Sequence, residues 1–243
     1  MKKTFLLMTV LGALCVSGVK AEQLLKWDFA GGNPSGATSI DGSSLNPHLF
    51  DPTLEVSDAL TPLNTSGVSF NSWGWNHAGI SLSNSEYYEF TMALAEPGWA
   101  FSLSSIDQRN LFSGLTAADP DGVTLQWAYS VGGGAFQLIA PSLHQQGSSG
   151  LTTNVNLSTI SDLQNVTQSV TFRLFASASS ASSPSDPGDA IGFRDISGQS
   201  YGLAVNGTVA PSAVPEPHEW AVLTGLMLGG LVWMRMRRRA QAA

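Results

Sequence analysis

The residues best suited to chemistry in this 243-residue chain are Trp73-Gly74-Trp75-Asn76-His77. Two tryptophans two positions apart on a strand share one face, because side chains alternate along extended backbone. Exposed indole rings flanked by an amide and an imidazole make a sugar-stacking surface. The CH groups of the sugar lie on the ring, and the amide bonds its hydroxyls. Trp73, Trp75 and Asn76 are therefore the candidate glycan contacts. The competing expectation is that both rings are core, since tryptophan is buried on average.

Other chemistries are less well provided for. The histidines are His48, His77, His144 and His218, and none stands in H-E-x-x-H spacing. No zinc site is expected. Oxygen-rich runs at Asp119 to Asp121 and Ser185 to Asp189 suit a hard cation such as calcium, but neither is an EF-hand loop and ordinary turn chemistry accounts for both. No cofactor is assigned. The chain has no G-x-S-x-G elbow and no G-x-x-x-x-G-K-[ST] loop. Glycosidases use two carboxylates across a cleft. Glu86 with Glu89, and Asp119 with Asp121, are close in sequence, but spacing alone does not set two carboxylates across a cleft. No catalytic residue is assigned. Asn-x-Ser/Thr triplets at Asn64, Asn156, Asn165 and Asn206 are expected by chance in a chain so rich in Ser and Thr.

The elements that must position these groups read as strands. Leu25, Trp27 and Phe29 alternate with Lys26 and Asp28. Tyr88, Phe90, Met92 and Leu94 alternate with Glu89, Thr91 and Ala93. Trp99, Phe101 and Leu103 alternate with small residues, and Val123, Leu125, Trp127 and Tyr129 with Thr124, Gln126, Ala128 and Ser130. Val170, Phe172 and Leu174 surround Arg173, and Tyr201, Leu203 and Val205 close the series. One face of each run is apolar and the other polar, as a half-buried antiparallel strand requires. Helical periodicity is nearly absent, so the predicted fold is all-β: a single antiparallel β-sandwich over 22–210. Asp119-Pro120-Asp121-Gly122 and Gly132-Gly133-Gly134 are turns, the second joining a hairpin to Phe136-Gln137-Leu138-Ile139. Residues 31–66 read as loop with one or two short strands, and 177–189 as a surface loop.

The two ends carry targeting signals. Lys2 and Lys3 precede an apolar run from Phe5 to Val16, and Val19-Lys20-Ala21 supplies small residues before a cut. That predicts a signal peptide over 1–21, cleaved after Ala21. The only cysteine, Cys15, leaves with it, so no disulfide is expected and a hydrophobic core must supply stability. All eighteen acidic residues lie between Glu22 and Glu219, against Lys26, Arg109, Arg173 and Arg194, a net of −14. That argues against nucleic acid and anionic membrane surfaces as partners and is compatible with neutral glycans.

At the C-terminus, Val214-Pro215-Glu216-Pro217 lies in a linker over 211–219. An uncharged run follows over 220–234, then Arg235, Arg237, Arg238 and Arg239 in a basic tail over 235–243. Fifteen residues at 1.5 Å each make a helix of roughly 22 Å, short for a hydrocarbon core of ~30 Å. Trp220 and Trp233 stand where interfacial aromatics belong, and the arginines act as a stop-transfer signal that keeps this end cytoplasmic. The tail resembles the PEP-CTERM sorting signal of exported bacterial surface proteins. The resemblance implies recognition near Pro-Glu-Pro by an exosortase, a membrane protease-transpeptidase. It also implies passage through the inner membrane to the surface or extracellular matrix, often in the company of exopolysaccharide. Leu25 to Phe29, the Asp121 to Ile139 hairpin, Phe172 to Phe175 and Leu203 to Val209 are similar to a jelly-roll-like sandwich recurring in such proteins.

Three functions are therefore expected in order. The first is a non-catalytic, exosortase-sorted surface or matrix protein, held in the membrane by its C-terminal helix while in transit. The second is a carbohydrate-binding module using exposed Trp73 and Trp75. The third is a glycoside hydrolase.

Overall fold

The computed structural model describes residues 21–29, 36–63, 69–76, 78–113, 122–145, 151–178 and 190–212. Among them the fold is all-β, with a single 3-10 turn at Ser161–Leu163. The strands are β1 (Glu22–Trp27), β2 (Ser39–Asp41), β3 (Ser43–Ser44), β4 (Thr53–Val56), β5 (Thr61–Pro62), β6 (Ser69–Trp73), β7 (Tyr87–Met92) and β8 (Trp99–Ser113). They continue as β9 (Val123–Val131), β10 (Gln137–Leu138), β11 (Leu143–Gln145), β12 (Leu151–Asn156), β13 (Val170–Ala178), β14 (Ala190–Arg194) and β15 (Leu203–Pro211).

Two antiparallel sheets form. One has the order β3-β1-β15-β8-β14-β6-β5, with β12 also paired to β8. The other runs β10-β9-β13-β7-β4-β2, with β11 also paired to β9. The period-two residues of the sequence fill the space between them. Trp27, Phe29, Tyr88, Phe90, Phe101, Trp127, Phe172 and Phe193 are all buried. Their rings meet across the sheets: Trp27 with Phe90 at 4.7 Å and Tyr88 with Phe193 at 5.3 Å between centroids. Each such side chain contributes roughly 1.5–3 kcal/mol on burial. Polar contacts also cross the core and fix how the sheets sit. Tyr88 OH donates to the Ile191 carbonyl at 2.7 Å, and Trp127 Nε1 to Gln108 Oε1 at 2.8 Å.

The Gly132 to Gly134 turn joins β9 to β10 as expected, with Gln137 opposite Tyr129. The stretch 31–66 holds more structure than its composition suggested: β2, β3, β4 and β5 all lie in it. They are two to four residues long, too short to show alternation, and three of them extend sheet edges. The final strand runs to Pro211, which pairs with Trp99, so the body ends one residue beyond the expected boundary. Residues 1–20 and 213–243 lie outside the described residues. The bulk of the expected signal peptide, the Val214 to Pro217 motif, the 220–234 segment and Arg235, Arg237, Arg238 and Arg239 fall there. Ala21 is exposed and directly precedes β1. Among the described residues no helix is long and apolar enough to cross a membrane.

Candidate functional site

The structure separates Trp73 from Trp75. Trp73 ends β6, and Gly74 at φ 95° turns the chain out of the strand. That conformation is nearly closed to side-chain-bearing residues. The turn breaks the alternation that would have put both rings on one face. Trp75 swings into the end of the sandwich, where it is 1% exposed. Its Nε1 donates to the Ser72 carbonyl at 2.9 Å and its ring lies 5.3 Å from Tyr88. It is a core residue and not a glycan contact. Trp73 is half-buried, and its Nε1 is shut from solvent without a hydrogen-bond partner. Asn76 is spent on backbone: Nδ2 donates to the Ala176 carbonyl at 3.2 Å and Oδ1 accepts from Ala78 N at 3.1 Å. The expected platform of Trp73, Trp75 and Asn76 is therefore not assembled. His77 lies outside the described residues.

Another tryptophan occupies a better position. Gly98, at φ 89°, closes the turn that leads into β8, and Trp99 is the first residue of that strand. A side chain there stands on the rim of the sandwich, and Trp99, like Trp73, is half-buried, while Phe101 and Leu103, two and four residues on, are buried. His48 stacks on the indole, with ring centroids 3.4 Å apart and planes 19° from parallel. The imidazole is itself held. His48 Nδ1 lies 2.7 Å from Glu96 Oε1, and His48 N donates to Asn46 Oδ1 at 3.0 Å. An antiparallel bridge between Leu49 and Leu94 ties the two loops, with Ala95 N donating to the His48 carbonyl at 2.9 Å.

Trp99 walls an open cleft of about 460 Å³. Leu94 and Pro97 supply further apolar surface, and Glu96, Thr167 and Ser212 supply a carboxylate and two hydroxyls. That volume lies in the ordinary range of small-ligand sites. Among the described residues no lysine or arginine lines it. The chemistry on offer is a flat aromatic wall, hydroxyl groups that donate or accept, and one strong acceptor.

Carboxylates gather on the outer face of the other sheet. Glu55 of β4 stands directly opposite Glu89 of β7, and with Asp51 they line a smaller groove of about 170 Å³. Arg173 of β13 relieves the crowding. Its Nε donates to Glu89 Oε2 at 2.6 Å, and its guanidinium carbon sits 4.1 Å from the ring centres of both Tyr87 and Phe136. Glu89 is about a quarter exposed and paired. Glu86 is not among the groove's walls, so the structure pairs Glu89 with Glu55 instead.

Among the described residues no group of three His, Cys, Asp or Glu side chains could hold a metal ion. His144 meets Thr124 Oγ1 at 3.1 Å on exposed β11. Asp119 to Asp121 and Ser185 to Asp189, the calcium candidates, lie outside the described residues. The tryptophan that sequence reasoning passed over, Trp99, carried one usable signal. It follows a Glu-Pro-Gly turn, so it begins a strand at the rim.

No family model and no curated protein matches the chain. Three solved structures overlap it loosely. A "xylan-binding module CBM15" is 14% identical, with a TM-score of 0.35, over 79% of this chain and all of that one. TmCBM61 in complex with β-1,4-galactotriose is 8% identical, TM-score 0.27, over 65% of this chain and 85% of that one. A chain of the infectious bursal disease virus Gx strain is 14% identical, TM-score 0.26, over 76% of this chain and 43% of that one. At these overlaps no site transfers from any of them, and the cleft beside Trp99 stands on its own geometry.

Proposed function

We propose that this chain is a non-catalytic, exported protein whose sandwich binds a neutral polysaccharide in the cleft beside Trp99. The observation that carries the reading is the Trp99 ring, held in place by His48 and forming one wall of a 460 Å³ cleft. A sugar presents a CH face to such a ring and hydroxyl donors to Glu96, Thr167 and Ser212. Among the described residues the lining has no lysine or arginine, which disfavours phosphate, sulfate or uronate ligands. Among the described residues Glu96 is the one carboxylate of the lining, whereas paired-carboxylate hydrolysis needs two. Flat, equatorially substituted β-1,4-linked sugars fit a planar wall best. Trp73 and Trp75, the first candidates, have no part in this site.

The test is a glycan array probed with the full-length chain in mild detergent, wild type beside Trp99→Ala. Neutral β-linked glycans should retain the wild type and lose the variant. Equal retention of both, or retention on sulfated and uronate-rich glycans alone, would reject the reading.

The tail is a separate part of the proposal and rests on residues 214–239. The sequence Pro215-Glu216-Pro217 favours extended backbone, since proline fixes φ and disfavours helix in the residue before it, and it precedes a short apolar run followed by Arg235, Arg237, Arg238 and Arg239. This is the arrangement for recognition by an exosortase-type protease after export of the jelly-roll-like body behind a signal peptide. Replacing Glu216 with Ala should leave membrane insertion intact and block release. Intact mass from cells with and without the exosortase decides it: a chain that keeps Ala243 in both is a simple anchor.

A further inference from the structure

We infer that this chain forms a two-fold dimer in which β12 pairs, antiparallel and edge to edge, with β12 of a second copy. The inference stands apart from the reading of the Trp99 cleft. β12 spans Leu151–Asn156 and, among the described residues, pairs with β8 alone. It lies on the side of β8 away from β15. Leu157 N, just past β12, donates to the Ser104 carbonyl of β8 at 2.9 Å, whereas Arg109 N of β8 donates the other way, to the Gly202 carbonyl at 2.8 Å, one residue before β15. Backbone groups alternate in direction along a strand. The amides of Leu151, Thr153 and Val155 therefore turn to β8 like that of Leu157, and those of Thr152, Asn154 and Asn156 turn outward. Among the described residues no strand meets that outward side.

An open edge is a template for another strand, and proteins blunt such edges with shortness, charge or proline. The other edge strands here are blunted: β2, β3, β5, β10 and β11 have two or three residues each. β12 has six, Leu-Thr-Thr-Asn-Val-Asn, with no charge and no proline. The partner that fits it is a second β12. With Asn154 on the two-fold axis, Asn154 faces Asn154 and Thr152 faces Asn156. That register makes roughly six backbone hydrogen bonds. Thr152, Asn154 and Asn156 are exposed, so the facing side chains are uncharged hydroxyls and amides. Asn154 is already ordered, since its Nδ2 donates to Asp107 Oδ1 of β8. Electrostatics favour this place over others. Residues 22–219 carry a net charge of −14, so two copies repel over most of their surface. Across a paired edge, Asp107 and its counterpart stand three strand spacings apart, about 14 Å, beyond a Debye length of about 8 Å. Two-fold pairing uses the same edge on both copies, so assembly closes at the dimer.

The experiment uses the full-length chain in mild detergent. Light scattering over a dilution series, with the detergent mass subtracted, should show a dimer that dissociates to monomer. Thr152→Pro removes one outward N–H and leaves the bonds to β8, a substitution that edge strands tolerate. It should weaken the dimer at least roughly tenfold, with the strand signal in circular dichroism unchanged. Asn154→Lys, whose ammonium Asp107 pairs in each copy, sets two like charges face to face and should weaken it too. The register is read by cross-linking. Cys15 is the chain's one cysteine, so the background is Cys15→Ser. Asn154→Cys should form a disulfide with its own copy under mild oxidation, because facing Cα atoms of a hydrogen-bonded pair lie about 5.5 Å apart. Thr152→Cys should not, since it stands about 14 Å from its own copy. A monomer at every concentration would overturn the pairing. So would a dimer that both Thr152→Pro and Asn154→Lys leave intact, which places the contact elsewhere in the chain. Cross-linking at 152 as readily as at 154 would reject the register and the two-fold with it.

Discussion

His48 lies flat against Trp99, with ring centroids 3.4 Å apart and planes within 19° of parallel. The imidazole is anchored by Glu96 and by Asn46, so the stack fixes the indole from behind. Freezing a side chain at an interface costs about 0.5–1.5 kcal/mol, and here that cost is met within the free protein. His48→Ala should therefore weaken glycan binding by roughly two- to twelvefold and leave the fold intact. Calorimetry and a thermal melt on the same sample check this. Unchanged affinity would mean that the stack is not what orders Trp99.

Trp75 should behave as a core residue. It is 1% exposed and bonded to the Ser72 carbonyl. Trp75→Ala should cost about 3–5 kcal/mol in a urea titration, with Trp75→Phe costing less. Trp75→Phe, if folded, should bind glycan normally, since the ring is shut inside the sandwich.

The carboxylates of the second sheet give an electrostatic prediction. Glu55 faces Glu89, and Arg173 offsets their repulsion while lying over Tyr87 and Phe136. Arg173→Ala should lower stability by roughly 1–2 kcal/mol, through the partly buried pair and two cation–π contacts. Adding Glu55→Gln should recover part of the loss, because like charges directly opposite destabilise a sheet. Raising the salt concentration should recover it too. A double variant no more stable than Arg173→Ala would show that Glu55 and Glu89 do not interact.

Stability should fall in alkali. Burial pushes the Tyr88 hydroxyl well above its ordinary value of 10.0, and its hydrogen bonds to Ser72 offset only part of that. Burial also raises Tyr129 and Tyr201, helped by Asp162 and Asp107. In the unfolded chain these phenols ionise near pH 10, whereas the folded chain keeps them protonated. The unfolded state then binds fewer protons, so stability is full below pH 10 and declines as pH rises above it. Tyr88→Phe should be less stable at neutral pH, having lost its bond to the Ile191 carbonyl, and should show a shallower alkaline slope. Urea midpoints from pH 8 to 11.5 test both.

The fold was legible where burial is one-sided. Trp27, Phe90, Trp127 and Phe172 alternate with polar neighbours, and that pattern is the sheet interface itself. It was illegible in β2 to β5, where strands of two to four residues are set by pairing with partners remote in sequence. The site was misread for a local reason. Trp73 and Trp75 have strand spacing, but Gly74 adopts a conformation that ends the strand between them. Trp99 looked like one more apolar residue of a period-two run. What makes it different is its contact with His48, fifty-one residues earlier in the chain, and no spacing rule reaches that far. Glu89 likewise found its partners, Glu55 and Arg173, only through strand register.

The central claim is that Trp99 is the wall on which a neutral polysaccharide stacks. The most direct measurement is the dissociation constant of the full-length chain for the glycan best retained on the array, determined for wild type, Trp99→Ala and Trp73→Ala. Trp99→Ala should weaken binding at least roughly tenfold, the scale of one aromatic contact, with its melting temperature close to that of the wild type. Trp73→Ala, if folded, should bind as the wild type does. Binding that survives Trp99→Ala and is lost in Trp73→Ala would contradict the account and return the site to the sequence motif that first suggested it.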